Sequence, residues 1–160
     1  MAVRFEALES ALVAALRDGG PDAYGLPPER GKISDGEGVP CRHCLHDTPA
    51  GREYLVLAHR PFGALQPYAE TGPVFLCADA CDRWAGAGVP PVLTTSPDYL
   101  LKGYSADERI VYGTGRVVPA GDVEAGAERL LARAEIAFVD VRSARNNCFL
   151  ARIRRERSKA

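Results

Sequence analysis

The chain has 160 residues, of which 46% are hydrophobic and 26% charged, and this balance is typical of one globular domain with a substantial core. The formal charge of −1, from 20 basic and 21 acidic residues, lacks the basic excess of a nucleic-acid-binding protein. No apolar stretch approaches the length needed to cross a bilayer, so no membrane association is expected.

The first predicted element is an N-terminal helix. Five apolar residues recur there at helical spacing: Phe5, Leu8, Leu12, Ala15 and Leu16. Gly19-Gly20-Pro21 would end this helix. Residues 19–40 are rich in Gly, Pro and Asp without a regular pattern, so they are predicted to form a long loop. Because this loop leads directly into a pair of cysteines, we expect it to be ordered over the core.

Two strands are predicted in the middle of the chain. Residues 53–59 are largely apolar on both faces, which predicts a central strand. Residues 74–77 form a shorter apolar run that would end at a cysteine. Asp79 can then cap a short helix that carries Cys81.

The second half of the chain is predicted to form one helix between two groups of strands. Residues 99–104 and 109–118 predict strands, and the second of these contains glycines that mark a bulge or break. Residues 123–134 show the apolar spacing of a helix. Residues 136–141 and 148–153 then predict a hairpin.

Few helices and many strands in this order predict an α+β fold. The predicted architecture is a single domain over residues 1–160, with a mostly antiparallel sheet, two main helices and a loop region held together by zinc. Residues 154–160 are basic and are predicted to be the polar end of the last strand followed by a solvated tail. The sequence contains no internal repeat.

Four of the five cysteines form two close pairs. Two residues separate Cys41 from Cys44, three separate Cys77 from Cys81, and 32 residues lie between the pairs. A tetrahedral zinc site needs four soft or imidazole ligands, and a C-x-x-C turn supplies two thiolates from one tight loop. The pattern therefore predicts one structural zinc ion bound by these four cysteines.

Other roles for the cysteines remain open. The alternation of charged and apolar residues over 1–16 does not look like a secretory segment, so a reducing cytoplasm is expected, where disulfides are disfavoured. A thiol redox pair is an alternative, although Cys41 and Cys44 lie in what looks like a loop entering a hairpin. Inert core thiols are another alternative, above all for Cys148 in an apolar segment.

A second set of residues forms a candidate ligand or catalytic site. The candidate catalytic residues are Glu70, His59 and Tyr68, and the candidate ligand-binding residues are Arg60, Arg142, Arg145 and Asn146. If their loops converge, guanidinium groups could bind a carboxylate or phosphate while Glu70 or His59 moves a proton. We expect Glu70, Arg60 and Arg142 to share one exposed cleft.

Each of these side chains also has a common structural role, so the candidate site does not by itself indicate an enzyme. Two main hypotheses for the function therefore stand. The favoured one is a zinc-stabilised module that binds a small anionic ligand or a partner protein. The alternative is a small metabolic enzyme that acts on an anionic molecule through the Arg, His and Glu residues. A thiol redox protein is the third possibility, and no known zinc-hydrolase motif is present.

Several segments together carry a resemblance to a known family. They are Gly-Gly-Pro-Asp at 19–22, Pro-Pro-Glu-Arg at 27–30, Ser34-Asp35-Gly36, Pro40 to Leu45, Arg60-Pro61-Phe62, Pro67 to Pro73 and Arg142 to Phe149. Through them the chain resembles bacterial domain-of-unknown-function family 1203 over nearly its whole length. The resemblance implies a single compact bacterial domain with these segments in loops, and it implies no particular activity.

Overall fold

The computed structural model describes residues 1–158. The elements are β1 (Val3–Glu6), α1 (Ser10–Arg17), β2 (Glu29–Ile33), β3 (Glu53–His59), β4 (Gly72–Cys77), β5 (Asp98–Tyr104), β6 (Arg116–Pro119), α2 (Val123–Leu131), β7 (Phe138–Ser143) and β8 (Phe149–Arg155). All strand pairs within the two sheets are antiparallel. The predicted α+β single domain with two helices is therefore confirmed.

The larger sheet has the strand order β1-β8-β7-β5-β6 and packs one apolar face against α2. Val139, Val141 and Ile153 alternate onto that face, where α2 contributes Ala127 and Leu131. This is the main core of the protein. In residues 1–158, neither helix combines the length and the apolar character that crossing a bilayer requires.

The opposite face of the larger sheet carries charged side chains. Lys102 on β5 lies opposite Asp140 on β7, and Asp140 lies opposite Arg152 on β8. Asp140 is fully buried, and its carboxylate accepts hydrogen bonds from Arg152 Nε at 2.8 Å and Nη2 at 3.1 Å. Arg142 follows Asp140 by two residues and lies on the same face. This charged face borders the cavity described below.

The smaller sheet has the order β2-β3-β4, with β3 in the centre as predicted. It packs against α1 and forms a second, smaller core. That core contains Val13, Leu16, Leu55, Leu57, Val74 and Leu76 together with Cys41 and Cys77. Two of the four paired cysteines are thus part of the packing of this sheet.

The prediction of a helix beginning near Phe5 was wrong. Residues 3–6 form β1, which pairs with β8, and the helix begins at Ser10. Val3 and Phe5 are buried, whereas Arg4 and Glu6 are only half-buried, so the segment has the two-residue period of a strand. The long-range pairing with β8 outweighs the helical spacing that Phe5 shares with Leu8 and Leu12.

The predicted long loop over residues 19–40 is interrupted by β2, which no regular pattern in the sequence indicates. All five residues of β2 are exposed, and the strand is held by its backbone pairing with β3. Its sequence, Glu-Arg-Gly-Lys-Ile, therefore has no apolar alternation to detect.

Two smaller corrections concern the rest of the chain. Within the described residues, the segment 78–90 contains no helix, so the predicted cap at Asp79 is not used. The predicted strand at 109–118 is reduced to β6 and an isolated bridge between Ile110 and Tyr104. Of the basic segment 154–160, Arg154 and Arg155 belong to β8, and residues 159–160 lie outside the described part of the chain.

Candidate metal centre and neighbouring cavity

The four paired cysteines come together in one cluster. The Sγ atoms of Cys41, Cys44, Cys77 and Cys81 all lie within 4.8 Å of one another. Cys41 and Cys44 come from the loop before β3, Cys77 ends β4, and Cys81 follows it. All five cysteines of the chain are free thiols.

A tight turn places the first cysteine pair. Leu45 has a left-handed backbone with φ of 55°, and its N–H donates to the carbonyl of Cys41 at 2.9 Å. The turn is fixed to β4 because Cys41 pairs with Phe75, and the N–H of Arg42 donates to the Phe75 carbonyl at 3.1 Å. Cys77, two residues further along β4, is thereby brought to the turn.

Arg42 joins this turn to the larger sheet. Its guanidinium is buried, and Nε donates a hydrogen bond to the carbonyl of Phe149 on β8 at 2.8 Å. Burial lowers the pKa of Arg42 to about 10, which still leaves it charged at neutral pH. The cysteine cluster is therefore connected to both sheets.

The spacing of the sulfur atoms fits a tetrahedral metal site. A zinc–sulfur bond of about 2.3 Å places the corners of a regular tetrahedron about 3.8 Å apart. The Sγ atoms of Cys41 and Cys81 are 3.9 Å apart, and no pair in the cluster exceeds 4.8 Å. The four cysteines can therefore hold one metal ion with only small adjustments of their side chains.

Backbone and hydroxyl groups point at two of the sulfurs. The N–H groups of His43 and Cys77 approach the Sγ of Cys41 at 3.5 and 3.3 Å. The Oγ1 of Thr48 lies 3.4 Å from the Sγ of Cys77. Donors in this position stabilise thiolate charge and orient metal ligands.

Cys81 receives its polar contacts from side chains that α1 supports. Arg17 Nη2 donates to its Sγ at 3.0 Å, and His43 Nδ1 lies 3.2 Å from the same atom. The Oγ of Ser10 is 2.8 Å from His43 Nε2. If His43 donates its Nδ1 hydrogen to the sulfur, Nε2 accepts the Ser10 hydroxyl hydrogen and the ring is fixed in place.

The thiols affect one another's ionisation. The hydrogen bond with Cys44 lowers the pKa of Cys41 to about 6, and the hydrogen bond with Cys41 lowers the pKa of Cys81 as well. The hydrogen bond with Cys41 raises the pKa of both Cys44 and Cys77. Four thiolates this close together therefore require a cation to balance their charge.

A separate cavity lies at the end of the charged sheet face. Its volume is about 230 Å³, and it is lined by side chains that include His59, Glu70, Arg142, Asn146, Cys148 and Phe149. Glu70 lies between two cations: its Oε2 is 3.3 Å from Arg142 Nη1, and its Oε1 is 3.5 Å from Lys102 Nζ. The structure thus brings Glu70, His59, Arg142 and Asn146 together.

Arg142 is unusual because part of its guanidinium has no partner. Its side chain is only 5% exposed, and Nη1 donates to the carbonyl of Asn147 at 3.1 Å. Within the described residues, Nε and Nη2 are buried without a hydrogen-bond acceptor, as is the hydroxyl of Tyr104. Burial raises the pKa of Tyr104 to about 12, so its hydroxyl stays protonated.

The remaining candidate residues lie elsewhere. Arg60 donates to the carbonyl of Phe62 at 3.2 Å and lines an adjoining cavity, so the expected single cleft with Glu70 and Arg142 is divided. Arg145 forms a 2.8 Å ion pair with Asp98 at the surface. The hydroxyl of Tyr68 contacts that of Tyr112 at 2.8 Å, on an exposed surface. A ligand-binding or catalytic role for any of these residues stays a prediction.

The sequence reasoning missed several residues that contact the two sites. Ser10 and Arg17 reach the cysteine cluster from α1, and no local pattern indicates this. Lys102 was more accessible to prediction, because it alternates with buried Leu101 and Gly103 on β5 and therefore faces the charged side of the sheet.

The fold and the cluster define a class of protein: a small α+β domain with four grouped cysteines that can hold a metal ion. The chain belongs to the family described as Protein of unknown function (DUF1203), whose model matches residues 38–155. The matched segment contains all four clustered cysteines, Glu70 and Arg142, whereas α1 lies outside it. No curated protein and no solved structure is significantly similar to the chain.

Proposed function

We propose that this protein is a zinc-stabilised module in which Cys41, Cys44, Cys77 and Cys81 bind one structural zinc ion. The observation that carries the proposal is the grouping of four Sγ atoms within 4.8 Å, close to the spacing of a zinc tetrahedron. Zinc is the metal commonly bound by four thiolates, and four protein ligands form a closed coordination shell that leaves no position for a reacting water. The structural role follows from that closed shell.

The state of the thiols supports a cytoplasmic location for this module. Zinc requires reduced cysteines, and a reducing compartment keeps them from forming disulfides. The free thiols and their hydrogen-bond donors suit a site that is loaded with metal rather than oxidised.

Zinc would contribute to stability by joining three segments that meet at the smaller core. The turn with Cys41 and Cys44, the end of β4 and the loop with Cys81 would be tied to one point. Arg17 would add a positive charge beside the cluster, which is negative when all four thiolates bind one divalent ion.

Metal analysis of the purified protein tests this proposal. We expect one zinc per chain, and cobalt substitution should give the absorption of a tetrahedral thiolate site. Cys44→Ser should weaken metal binding, whereas the matched control Cys148→Ser should bind zinc normally. A well-folded protein that contains neither zinc nor another metal would refute the proposal.

We further propose that the cavity beside Arg142 binds a small anion. The unpartnered Nε and Nη2 lie on one edge of the guanidinium, and such an edge matches the two oxygens of a carboxylate or phosphate. Lys102 adds a second positive charge. A volume of about 230 Å³ restricts the ligand to a few heavy atoms.

In this proposal Glu70 competes with the anion, because its carboxylate already contacts both cations. Entry of the ligand would displace the Glu70 carboxylate from Arg142 Nη1 and Lys102 Nζ and place the ligand's oxygens beside the guanidinium. A partner protein that presents a carboxylate side chain is the other ligand that this chemistry would accept.

Titration calorimetry with inorganic phosphate and with acetate, at constant ionic strength, tests the anion site. Glu70→Gln should tighten binding because it removes the competing charge, and Arg142→Gln should abolish it. Arg145→Gln is the matched control, since it removes the same charge from an exposed position outside the cavity. Equal effects of the two arginine variants would show nonspecific screening and refute the site.

A further inference from the structure

We infer that Cys44 is the reactive thiolate of the metal centre and a modification site for a small, neutral carbon electrophile. The inference rests on the proposed zinc site and deepens it, because it distinguishes among the four ligands. It follows from two independent features: the hydrogen bonds to the sulfurs and a cavity beside them.

The hydrogen bonds differ sharply between the four sulfurs. Cys41 accepts from two backbone N–H groups, Cys77 lies beside the Thr48 hydroxyl, and Cys81 lies beside Arg17 and His43. Outside the cluster itself, the one polar contact of Cys44 Sγ in residues 1–158 is with the carbonyl of His46, at 3.8 Å. A carbonyl oxygen has no hydrogen to give to a thiolate.

This difference affects reactivity because a thiolate attacks through its sulfur lone pair. A donated hydrogen bond or a nearby guanidinium stabilises the negative charge and makes the lone pair less available. At Cys44, only the metal ion balances the negative charge of the thiolate sulfur. Cys44 should therefore be the strongest nucleophile of the four.

Access also favours Cys44. A cavity of about 490 Å³ lies against the cluster, and its walls include Cys44, Cys77 and Cys81 but not Cys41. Cys77 is buried, whereas Cys44 and Cys81 are half-buried. Cys44 is thus accessible from the cavity and its sulfur has no hydrogen-bond donor outside the cluster, whereas Cys81 is accessible from the cavity but has Arg17 and His43 beside its sulfur.

The walls of this cavity also indicate the class of electrophile. The surface facing the cavity is mostly carbon and sulfur. The charged lining residues are three acids, Asp47, Glu53 and Asp79, and one base, Arg52, which lies 3.8 Å from Asp79. A neutral molecule enters such a space more readily than an anion.

The reaction is a simple substitution. The Cys44 sulfur forms a bond to the electrophilic carbon, and the leaving group departs with the bonding electron pair. With iodoacetamide the products are a thioether and iodide, and nothing is oxidised or reduced. The neutral thioether is a weaker ligand than the thiolate, so loss of zinc should follow modification.

The test uses zinc-loaded Cys148→Ser protein and limiting iodoacetamide, with the modified residues mapped by peptide mass spectrometry at low conversion. Zinc content is measured on the same samples. We expect Cys44 to react at least about tenfold faster than each of Cys41, Cys77 and Cys81. Iodoacetate, which carries a charge, should react more slowly at Cys44 than iodoacetamide does, after correction for their rates with a free thiol.

A second variant tests the hydrogen-bond argument directly. Arg17→Met removes the charged one of the two groups beside Cys81 Sγ, leaves His43 in place and keeps an aliphatic side chain, so the rate at Cys81 should rise part of the way towards that of Cys44 while the rate at Cys44 is unchanged. First reaction at Cys41, Cys77 or Cys81 in the zinc-loaded protein, or no reaction at any of the four, would overturn the inference alone. A zinc content near zero would overturn the proposed function and this inference with it.

Discussion

Replacing Cys41 by serine should remove the metal ion and destabilise the smaller sheet. Cys41 is fully buried in the core that α1, β3 and β4 share, and it is one of four ligands. Serine retains the shape but is a poor ligand, so the variant tests the metal link with little change in packing.

The size of the effect can be worked out from the segments that the metal joins. A link between Cys41 and Cys81 closes a loop of about 40 residues, and such a link removes about 4 kcal/mol of conformational freedom from the unfolded chain. For a chain of this size, each kcal/mol shifts Tm by about 2–4 °C. Cys41→Ser should therefore lower Tm by at least about 8 °C. Loss of the zinc–sulfur bonds themselves adds to this value.

Calorimetry and hydrogen exchange together provide the assay. Exchange should become faster in β3 and β4, which belong to the smaller sheet, while β5, β7 and β8 remain protected by the main core. Cys148→Ser is the matched control and should shift stability by less than about 0.5 kcal/mol. A Tm for Cys41→Ser within about 2 °C of the wild type would refute the reasoning.

Two further predictions concern buried titratable groups. Asp140→Ala should cost about 3–5 kcal/mol in urea unfolding because Arg152 would be left without its buried partner. The exposed pair of Arg133 with Glu135 is the control: Glu135→Ala should cost under about 1 kcal/mol, and equal losses would contradict the argument. Burial lowers the pKa of His59 to about 4, so the folded protein binds fewer protons than the unfolded chain and loses stability as the pH falls from about 6.5 towards 4. The loss of folding stability is roughly 3 kcal/mol at most. His59→Leu should flatten the dependence of Tm on pH in this window, and an unchanged slope of Tm against pH would contradict the argument.

The cysteine cluster was predictable because its signal is local. Each pair is close enough in sequence to converge on one ion, and only the meeting of the two pairs depends on the fold. The contacts of Arg17 and Ser10 with this cluster were not predictable, because they depend on how α1 packs against the smaller sheet. Single side chains that act across such distances leave no pattern in the sequence.

The errors in the fold have physical causes of two kinds. At the N-terminus, alternation of Val3 and Phe5 with Arg4 and Glu6 was available in the sequence, but four residues are a short signal beside a longer helical pattern. At β2 there was no signal to find, because an exposed edge strand is held by backbone hydrogen bonds to β3. Central strands such as β3 and β7, which are rich in apolar residues and of which β7 is largely buried, were located to within a few residues.

The buried guanidinium of Arg42 has a consequence for communication within the molecule. Arg42 follows a proposed zinc ligand directly, and it donates to the backbone of Phe149, which lines the cavity of Arg142. The two proposed sites are thus separated by one side chain and one hydrogen bond. If zinc binding alters this connection and thereby changes the affinity of the cavity for an anion, thermodynamic reciprocity requires anion binding to change the affinity for zinc by the same factor. Zinc affinity measured with and without phosphate would then report on both sites at once.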